Sequence, residues 1–408
     1  MPLVPVSGLR HQHNPKAATG VPVTARVRAV MPPDGLAAAK AEIGSWPGYA
    51  ETPLRDLAGI ARAAGLGALF YKDESPRFGL GSFKALGGAY AVNRLLKAEL
   101  AKQGIAATTA DLLSGKYAAA ARTVTVTTAT DGNHGRSVAW GAHIFGCACV
   151  IYIHGTVSPG RERAIAALGA QVVRVDGNYD ATVRQAAADA EKHGRFVVSD
   201  TSYPGYMQVP RDVMQGYTLM ADEAFSALAV PPTHIFIQGG VGAMAAAVAA
   251  QAWEAYAEAR PRIVVVEPEN AACLLESAAA GHPMAVGGSL ETVMAGLACG
   301  EVSLLAWEVL EDGGDDYLVV SDAAAIAAMK LLADGACGDA PFVAGESAVA
   351  GLAGCLAAAA APAVAAALGL GARARVLVFG SEGATDPETY ARLVGRTPQE
   401  VAAAARSA

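Results

Sequence analysis

Strand and helix patterns alternate through most of the chain, and this alternation limits its possible folds more than any other feature. From residue 122 onward, short runs rich in Val, Ile and Thr are mostly followed by segments with apolar residues at helical spacing. Strands joined through crossover helices lie parallel in one sheet. The sequence therefore predicts an α/β protein with two parallel or mostly parallel open sheets flanked by helices. The predicted strands are 67–73, 122–128, 148–153, 171–175, 195–199, 234–238, 262–266, 317–320 and 375–379.

The helical patterns complete this picture, whereas the first 45 residues show no clear period. The predicted helices are 85–103, 133–145, 159–168, 179–193, 207–228, 242–258, 322–335, 345–360 and 387–394. Residues 1–45, which include Pro32–Pro33, are predicted to be an irregular arm. A chain of 408 residues is longer than one core normally holds, so two domains are expected.

Composition excludes several classes of function. The net charge is −7, with 31 basic and 38 acidic residues and no basic run, which argues against nucleic acid as a partner. The amino-terminal residues lack the apolar core of a secretory signal, and the apolar stretch 356–368 is broken by Pro362 and too short to span a membrane. We therefore expect a cytoplasmic protein with no membrane partner.

The six cysteines form no CxxC pair, and no histidine cluster accompanies them, so no metal site is expected. Free thiols are the expectation for a cytosolic chain. A bridge between Cys273 and Cys299, which flank one predicted loop region, stays open at this point.

Three loops that contain glycine follow predicted strands, where open parallel sheets bind their ligands. They are TDGNHG at 130–135, GGVGA at 239–243 and SEG at 381–383. The closely spaced glycines of 239–243 expose backbone N–H groups at a helix N-terminus, which suits a phosphate group. The loop lacks the Lys-Ser/Thr ending of a P-loop and the third glycine of a dinucleotide site. By itself, it also fits a tight turn without a ligand.

Lys84 lies in the stretch GSFKALGG at 81–88, next to Phe83, Ala85 and Leu86. A lysine in apolar surroundings has a lowered pKa and can form a Schiff base with an aldehyde. An ordinary lysine at a helix start is the alternative. A reactive lysine together with a phosphate site predicts pyridoxal 5'-phosphate, because this cofactor carries both an aldehyde and a phosphate.

The stretches SFK at 82–84, GNH at 132–134 and GGVGA at 239–243 are similar in order and spacing to those of fold type II pyridoxal-phosphate enzymes. The resemblance extends from Thr52 to Tyr390. It implies that the cofactor lies between a large domain, 1–88 with 210–408, and a small inserted domain, 89–209. The cofactor-binding residues implied by the resemblance are Phe83, Lys84, Asn133, Gly239, Gly240, Val241, Gly242 and Ser381.

The same resemblance assigns a role to most of these residues. Lys84 is the Schiff-base lysine and Asn133 contacts the phenolic oxygen of the cofactor, while residues 239–242 bind the phosphate. Ser381 faces the pyridine nitrogen, and a hydroxyl there, instead of a carboxylate, leaves the nitrogen largely unprotonated. Such a ring is a weaker electron sink, which suits β-elimination.

Longer stretches narrow the resemblance to one family. KDESPRFGLGSFKALGGAYA at 72–91, DTSYPGY at 200–206 and SEGATDP at 381–387 resemble the diaminopropionate ammonia-lyases. The resemblance implies a carbon–nitrogen lyase of amino-acid catabolism, expected to be a homodimer. Its reaction converts 2,3-diaminopropionate, as either isomer, and water to pyruvate and two ammonia.

Two loop carboxylates distinguish this family from the dehydratases of the same fold. Asp131 replaces the hydroxyl that dehydratases usually carry before the glycine, although a helix cap would also explain an aspartate there. Acceptance of both isomers requires a base on each face of the substrate, and we expect Lys84 to be the base for the L isomer and Asp131 the base for the D isomer. We expect Asp200 to hold the β-ammonium group or to assist its departure. A threonine or serine dehydratase is the alternative, and it would have no use for Asp131 and Asp200.

Overall fold

The computed structural model describes residues 2–130, 132–177 and 179–406. The predicted α/β class is confirmed. The strands are β1 (Arg10–His13), β2 (Leu54–Asp56), β3 (Ala68–Asp73), β4 (Thr125–Thr130), β5 (Ala148–His154), β6 (Gln171–Val175), β7 (Phe196–Val197), β8 (His234–Gln238), β9 (Arg262–Pro268), β10 (Asp316–Val320) and β11 (Arg375–Gly380).

Helices precede or follow most of these strands in the chain. They are α1 (Ala25–Val30), α2 (Asp34–Ile43), α3 (Ala58–Ala63), α4 (Ala85–Lys102), α5 (Thr109–Leu113), α6 (Ala118–Ala121), α7 (Asn133–Phe145), α8 (Pro159–Ala166), α9 (Tyr179–His193), α10 (Gln208–Ala227), α11 (Ala243–Tyr256), α12 (Cys273–Ala280), α13 (Leu304–Gly313), α14 (Asp322–Ala333), α15 (Ala350–Ala360), α16 (Pro362–Leu368), α17 (Pro387–Val394) and α18 (Pro398–Ala405).

The first of two compact units comprises Met1–Pro33, Glu51–Pro76 and Met220–Ala408. Its seven-stranded sheet has the order β1-β10-β9-β8-β11-β3-β2. The five inner strands are parallel, and the edge strands β1 and β2 are antiparallel to their neighbours. Every residue of β8 is buried, as expected for a central strand covered on both faces. Because β8 and β11 are parallel neighbours, the loops that follow them lie at the same end of this sheet, the carboxyl end of its parallel strands.

The second unit comprises Asp34–Ala50 and Arg77–Leu219. Its four-stranded sheet is parallel throughout, in the order β6-β5-β4-β7. The edge strand β7 has only two residues, so the chain that follows it receives little support from the sheet. The predicted functional division into 1–88 with 210–408 and 89–209 stays a prediction.

The expectation of an irregular arm over residues 1–45 is wrong, because β1, α1 and α2 lie there. The four residues of β1, RHQH, are polar and show no strand-like alternation of apolar residues. The strand is stabilised by pairing with β10 and by two histidine contacts to one buried carboxylate. His11 Nε2 lies 2.8 Å and His13 Nδ1 lies 3.2 Å from Asp316 Oδ1.

Two further expectations concern apolar helices and thiols. Among the described residues, no single helix is long and apolar enough to cross a membrane, and α15 with α16 passes that test only as a pair bent by 110°. Cys273 and Cys299 form no disulfide, and none joins any other cysteines in the described part of the chain.

Candidate active site

The amino-terminal turn of α4 places Lys84, and its position depends on a close approach to α10. A Cβ atom at Gly216 of α10 would lie 1.9 Å from the carbonyl oxygen of Leu86, and one at Gly87 would lie 2.4 Å from the Tyr217 ring. Only glycine permits backbones to approach this closely. Gly87 and Gly216 therefore allow α4 to pack closely on α10, next to Lys84 at the start of α4.

Lys84 makes an ion pair with Asp200, which lies 116 residues further along the chain. The distance from Lys84 Nζ to Asp200 Oδ2 is 2.6 Å, and the two side chains are 22% and 17% exposed. Lys84 Nζ also lies 5.3 Å from the centroid of the Phe83 ring and 5.8 Å from that of Tyr217. Burial by itself would raise the pKa of Asp200, but the charge of Lys84 lowers it well below its ordinary value. The structure thus brings together two of the predicted catalytic residues.

Side-chain hydrogen bonds hold the segment that leads to Asp200, in place of a longer strand. The hydroxyl of Tyr206 donates to the carbonyl of Val197 at 2.9 Å and accepts the N–H of Ser199 at 3.0 Å. His134 Nε2 donates to the carbonyl of Val198 at 2.8 Å. These bonds satisfy backbone groups on three consecutive residues, beginning with the last residue of the short β7. Tyr206 and His134 therefore fix the backbone from which the Asp200 carboxylate projects.

The ring of His134 is neutral near pH 7 for a physical reason. Burial lowers its pKa, although the charge of Asp200 acts in the opposite direction. Because Nε2 faces a carbonyl oxygen, Nε2 carries the proton and Nδ1 carries the lone pair. His134 therefore adds no positive charge beside Lys84.

The loop between β4 and α7 contains Asn133, which is the first residue of α7 and is half-buried. Thr130 Oγ1 accepts the N–H of Gly132 at 2.9 Å and that of Gly135 at 3.0 Å. Thr130 thus caps this turn, a role that sequence reasoning missed although threonine is a common cap residue. Asp131 lies outside the described residues.

In the first unit, the loop after β8 presents backbone N–H groups at the start of α11. The N–H groups of Gly240, Val241 and Ala243 donate to no acceptor in the described part of the chain. Gly242 has a φ of 96°, a left-handed conformation that glycine adopts without strain. The carbonyl of Val241 accepts the N–H of Ser303 at 2.9 Å, which turns the peptide and fixes the loop. Free N–H groups at the N-terminus of a 14-residue helix form an anion site.

Glu267 supports this loop from the end of β9, and sequence reasoning missed it. Its carboxylate is fully buried and accepts the N–H groups of Leu274 at 2.9 Å and Leu275 at 2.8 Å. A Cβ atom at Gly239 would lie 2.7 Å from Glu267 Cγ, so the loop rests directly on this side chain. Burial raises the pKa of Glu267 to about 8, although the two N–H groups oppose the rise.

Because the pKa of Glu267 is raised, we expect the free energy of unfolding of the protein to fall as pH rises. In the unfolded chain this carboxyl ionises near pH 4.5, whereas the folded protein retains the proton up to about pH 8. Stability contributed by the protonated group is therefore complete below the lower value and is lost as pH rises through this window. The variant Glu267→Gln does not titrate. We expect its free energy of unfolding to rise, relative to that of wild type, by on the order of a few kcal/mol when pH is raised from about 5 to about 9. Urea unfolding midpoints at both pH values measure this difference.

The matched control for this prediction is Glu276→Gln on α12, where the carboxylate contacts Arg10 at the surface. We expect its midpoint to follow that of wild type at both pH values. An identical pH dependence for wild type and Glu267→Gln would contradict the assignment.

Ser381 follows β11 and is buried, with an exposed fraction of 5%. Its Oγ accepts a hydrogen bond of 3.1 Å from Nε2 of Gln238, the last residue of β8. The loops after β8 and β11 are thus joined by one side-chain contact. Sequence reasoning missed Gln238, since a glutamine at a strand end has no distinctive pattern.

Comparison with known proteins places this arrangement in a family. Residues 45–382 match the family model described as pyridoxal-phosphate dependent enzyme. Diaminopropionate ammonia-lyase of Escherichia coli (strain K12) is 39% identical over 362 residues, which are 87% of this chain and 90% of the relative. The chain belongs to the diaminopropionate ammonia-lyase family.

Solved structures of the same family agree with this assignment. The E. coli enzyme in complex with an aminoacrylate-PLP azomethine reaction intermediate is 34% identical, with a TM-score of 0.84 and coverage of 95% of this chain and 96% of that one. Its complex with D-serine is 33% identical, with the same TM-score and coverage. This chain is therefore a fold type II pyridoxal-phosphate enzyme and a carbon–nitrogen lyase.

The described residues fit the cofactor of the diaminopropionate ammonia-lyase family. The free N–H groups after β8 suit its phosphate. The O–H proton of Ser381 has no acceptor in the described part of the chain, which suits an unprotonated ring nitrogen. The side chain of Lys84 carries an amine, the group that forms a Schiff base with an aldehyde.

Proposed function

We propose that this chain converts D- and L-2,3-diaminopropionate and water to pyruvate and two ammonia. The observation that carries this proposal is the 2.6 Å contact between Lys84 Nζ and Asp200 Oδ2. Asp200 is a mostly buried carboxylate whose lowered pKa keeps it ionised, and a charge in this position requires a cation beside it. When Lys84 is covalently engaged, a second ammonium group can take its place at Asp200.

The substrate supplies such a group. Diaminopropionate has an ammonium on its β-carbon, where serine and threonine have a hydroxyl. We propose that Asp200 holds this ammonium until it leaves, which would favour diaminopropionate over the substrates of the dehydratases. A serine or threonine dehydratase would have no use for a carboxylate at this position.

In this proposal, the cofactor is held by the residues that the resemblance assigns to it. Residues 239–242 bind its phosphate, Ser381 faces its ring nitrogen, Asn133 its phenolic oxygen, and Lys84 forms the covalent link beside Phe83. When bound, pyridoxal phosphate supplies an electron sink for the charge that develops on the substrate α-carbon.

Proton transfer is assigned to two residues, one for each isomer. Lys84 Nζ takes the α-proton of the L isomer, and the carboxylate of Asp131 takes that of the D isomer. Cleavage of the β-carbon–nitrogen bond then releases the first ammonia. Addition of water to the remaining three-carbon imine releases the second ammonia and leaves pyruvate, so the atoms balance.

Pyruvate release from the purified protein tests this function. We expect turnover of both diaminopropionate isomers, and much slower release from serine and threonine under the same conditions. Turnover of serine or threonine alone would move the chain to the dehydratases and reduce Asp131 to a structural residue.

We also propose that the active form is a homodimer and that it acts in the cytoplasm in amino-acid catabolism. The resemblance to the diaminopropionate ammonia-lyases supports the dimer and the catabolic role.

A further inference from the structure

Gln238 makes a set of contacts that gives its side chain one orientation. It is fully buried, and its Nε2 donates to the carbonyl oxygens of Phe379 at 2.7 Å and Ala348 at 3.1 Å. Carbonyl oxygens only accept hydrogen bonds, so the amide must present its NH₂ group, not its oxygen, to this side. Ser381 Oγ lies on the same side, 3.1 Å from Nε2.

This orientation determines what the hydroxyl of Ser381 can do. The amide Nε2 is a donor only, so Ser381 Oγ cannot donate to it and can only accept. Its bond shares the two Nε2 hydrogens with the carbonyl oxygens of Phe379 and Ala348. The O–H proton therefore points away from Gln238. In the described part of the chain it meets no acceptor, although the side chain is buried. A buried hydroxyl with its lone pair engaged and its proton available is a hydrogen-bond donor awaiting an acceptor.

We propose that Gln238 is a positioning residue that sets the direction of the Ser381 O–H bond and thereby presents its proton to the pyridine nitrogen of the cofactor. The proposal rests on the proposed function, which places Ser381 at that nitrogen. An aliphatic hydroxyl donates a hydrogen bond without transferring its proton, so the nitrogen stays unprotonated. Gln238 thus tunes the electron demand of the ring without contacting it.

Gln238→Glu reverses the polarity of this contact. In either protonation state, the carboxyl oxygen that replaces Nε2 has a lone pair for the Ser381 proton, so the hydroxyl turns toward residue 238. Gln238→Met removes the donor without adding an acceptor and frees the hydroxyl to rotate. Gln251→Glu is the matched control, because it makes the same change at another buried glutamine, in the middle of α11.

The direct readout is the ¹⁵N chemical shift of holoenzyme reconstituted with pyridoxal phosphate labelled at its ring nitrogen. We expect wild type and Gln251→Glu to show an unprotonated nitrogen that accepts a hydrogen bond. Gln238→Glu should move the signal toward that of Ser381→Ala, in which the donor is absent, and Gln238→Met should move it in the same direction by less. Absorbance of the covalent link between the cofactor and Lys84 verifies that each variant has bound the cofactor.

The outcomes separate this inference from the proposed function. If Ser381→Ala shifts the nitrogen signal but neither Gln238 variant does, the role of Gln238 is overturned and the placement of Ser381 stands. If Ser381→Ala leaves the signal unchanged, or if wild type shows a protonated nitrogen, the placement of Ser381 fails and the inference fails with it. Should Gln238→Glu not fold, an unchanged signal in Gln238→Met decides against the inference.

Discussion

Lys84→Ala is expected to abolish covalent binding of pyridoxal phosphate and to reduce pyruvate formation from L-diaminopropionate by at least ~10²-fold, the smallest effect typical of losing a general base. Two proposed functions are removed at once, since we propose that the same amine links the cofactor and takes the α-proton. The substitution also leaves Asp200 without the ammonium that lies 2.6 Å away, so affinity for a substrate ammonium should persist. Borohydride reduction followed by mass spectrometry measures covalent attachment independently of turnover.

Lys97→Ala is the matched control for this experiment. Lys97 is also on α4 and is also paired with a carboxylate, that of Glu42, with 23% of its side chain exposed. We expect it to retain the covalent cofactor and full activity. The contrary outcome in Lys84→Ala is that borohydride reduction traps the cofactor on another lysine while turnover is retained. That result would remove Lys84 from the mechanism.

The sequence predicted those parts of the site that follow from local pattern. The strands β8 and β11 are rich in branched apolar residues and β4 is rich in threonine, so all three could be recognised as strands. The loops after them, including 239–242 and Ser381, could therefore be placed at the carboxyl ends of the strands. The apolar neighbours of Lys84 could also be recognised from the sequence, but the role of the nearby glycines could not. Their physical reason, a close approach between α4 and α10, required the structure, because sequence spacing does not report contact between distant segments.

The supporting residues could not be predicted for the same reason. Tyr206, Gln238 and Glu267 are ordinary residue types in their local context, and their roles come from partners brought to them by the fold. Glu267, for example, meets α12 only after the chain turns at the end of β9. The sequence does not predict β1, because its two histidines contact Asp316, a residue far away in sequence. His11 and Asp316 are separated by 305 residues.

Asp131→Asn is expected to separate the two isomers of diaminopropionate. Loss of the base assigned to the D isomer should lower kcat for D-diaminopropionate by ~10²- to 10⁴-fold. The L isomer, whose α-proton we assign to Lys84, should lose much less. Thr130 Oγ1 accepts the N–H groups of Gly132 and Gly135, so these two groups need no cap from residue 131. Parallel kinetics with each pure isomer measure the two effects.

Asp200→Asn gives the comparison that makes this result specific. Asp200 is proposed to hold the β-ammonium, which both isomers carry, so this variant should impair both of them to a similar extent. The amide also removes the charge that faces Lys84 at 2.6 Å, so its effect should appear largely in KM. If Asp131→Asn instead lowers turnover of both isomers equally, a base on each face of the substrate is ruled out. In that case Lys84 would have to serve both isomers, and Asp131 would act on a step they share.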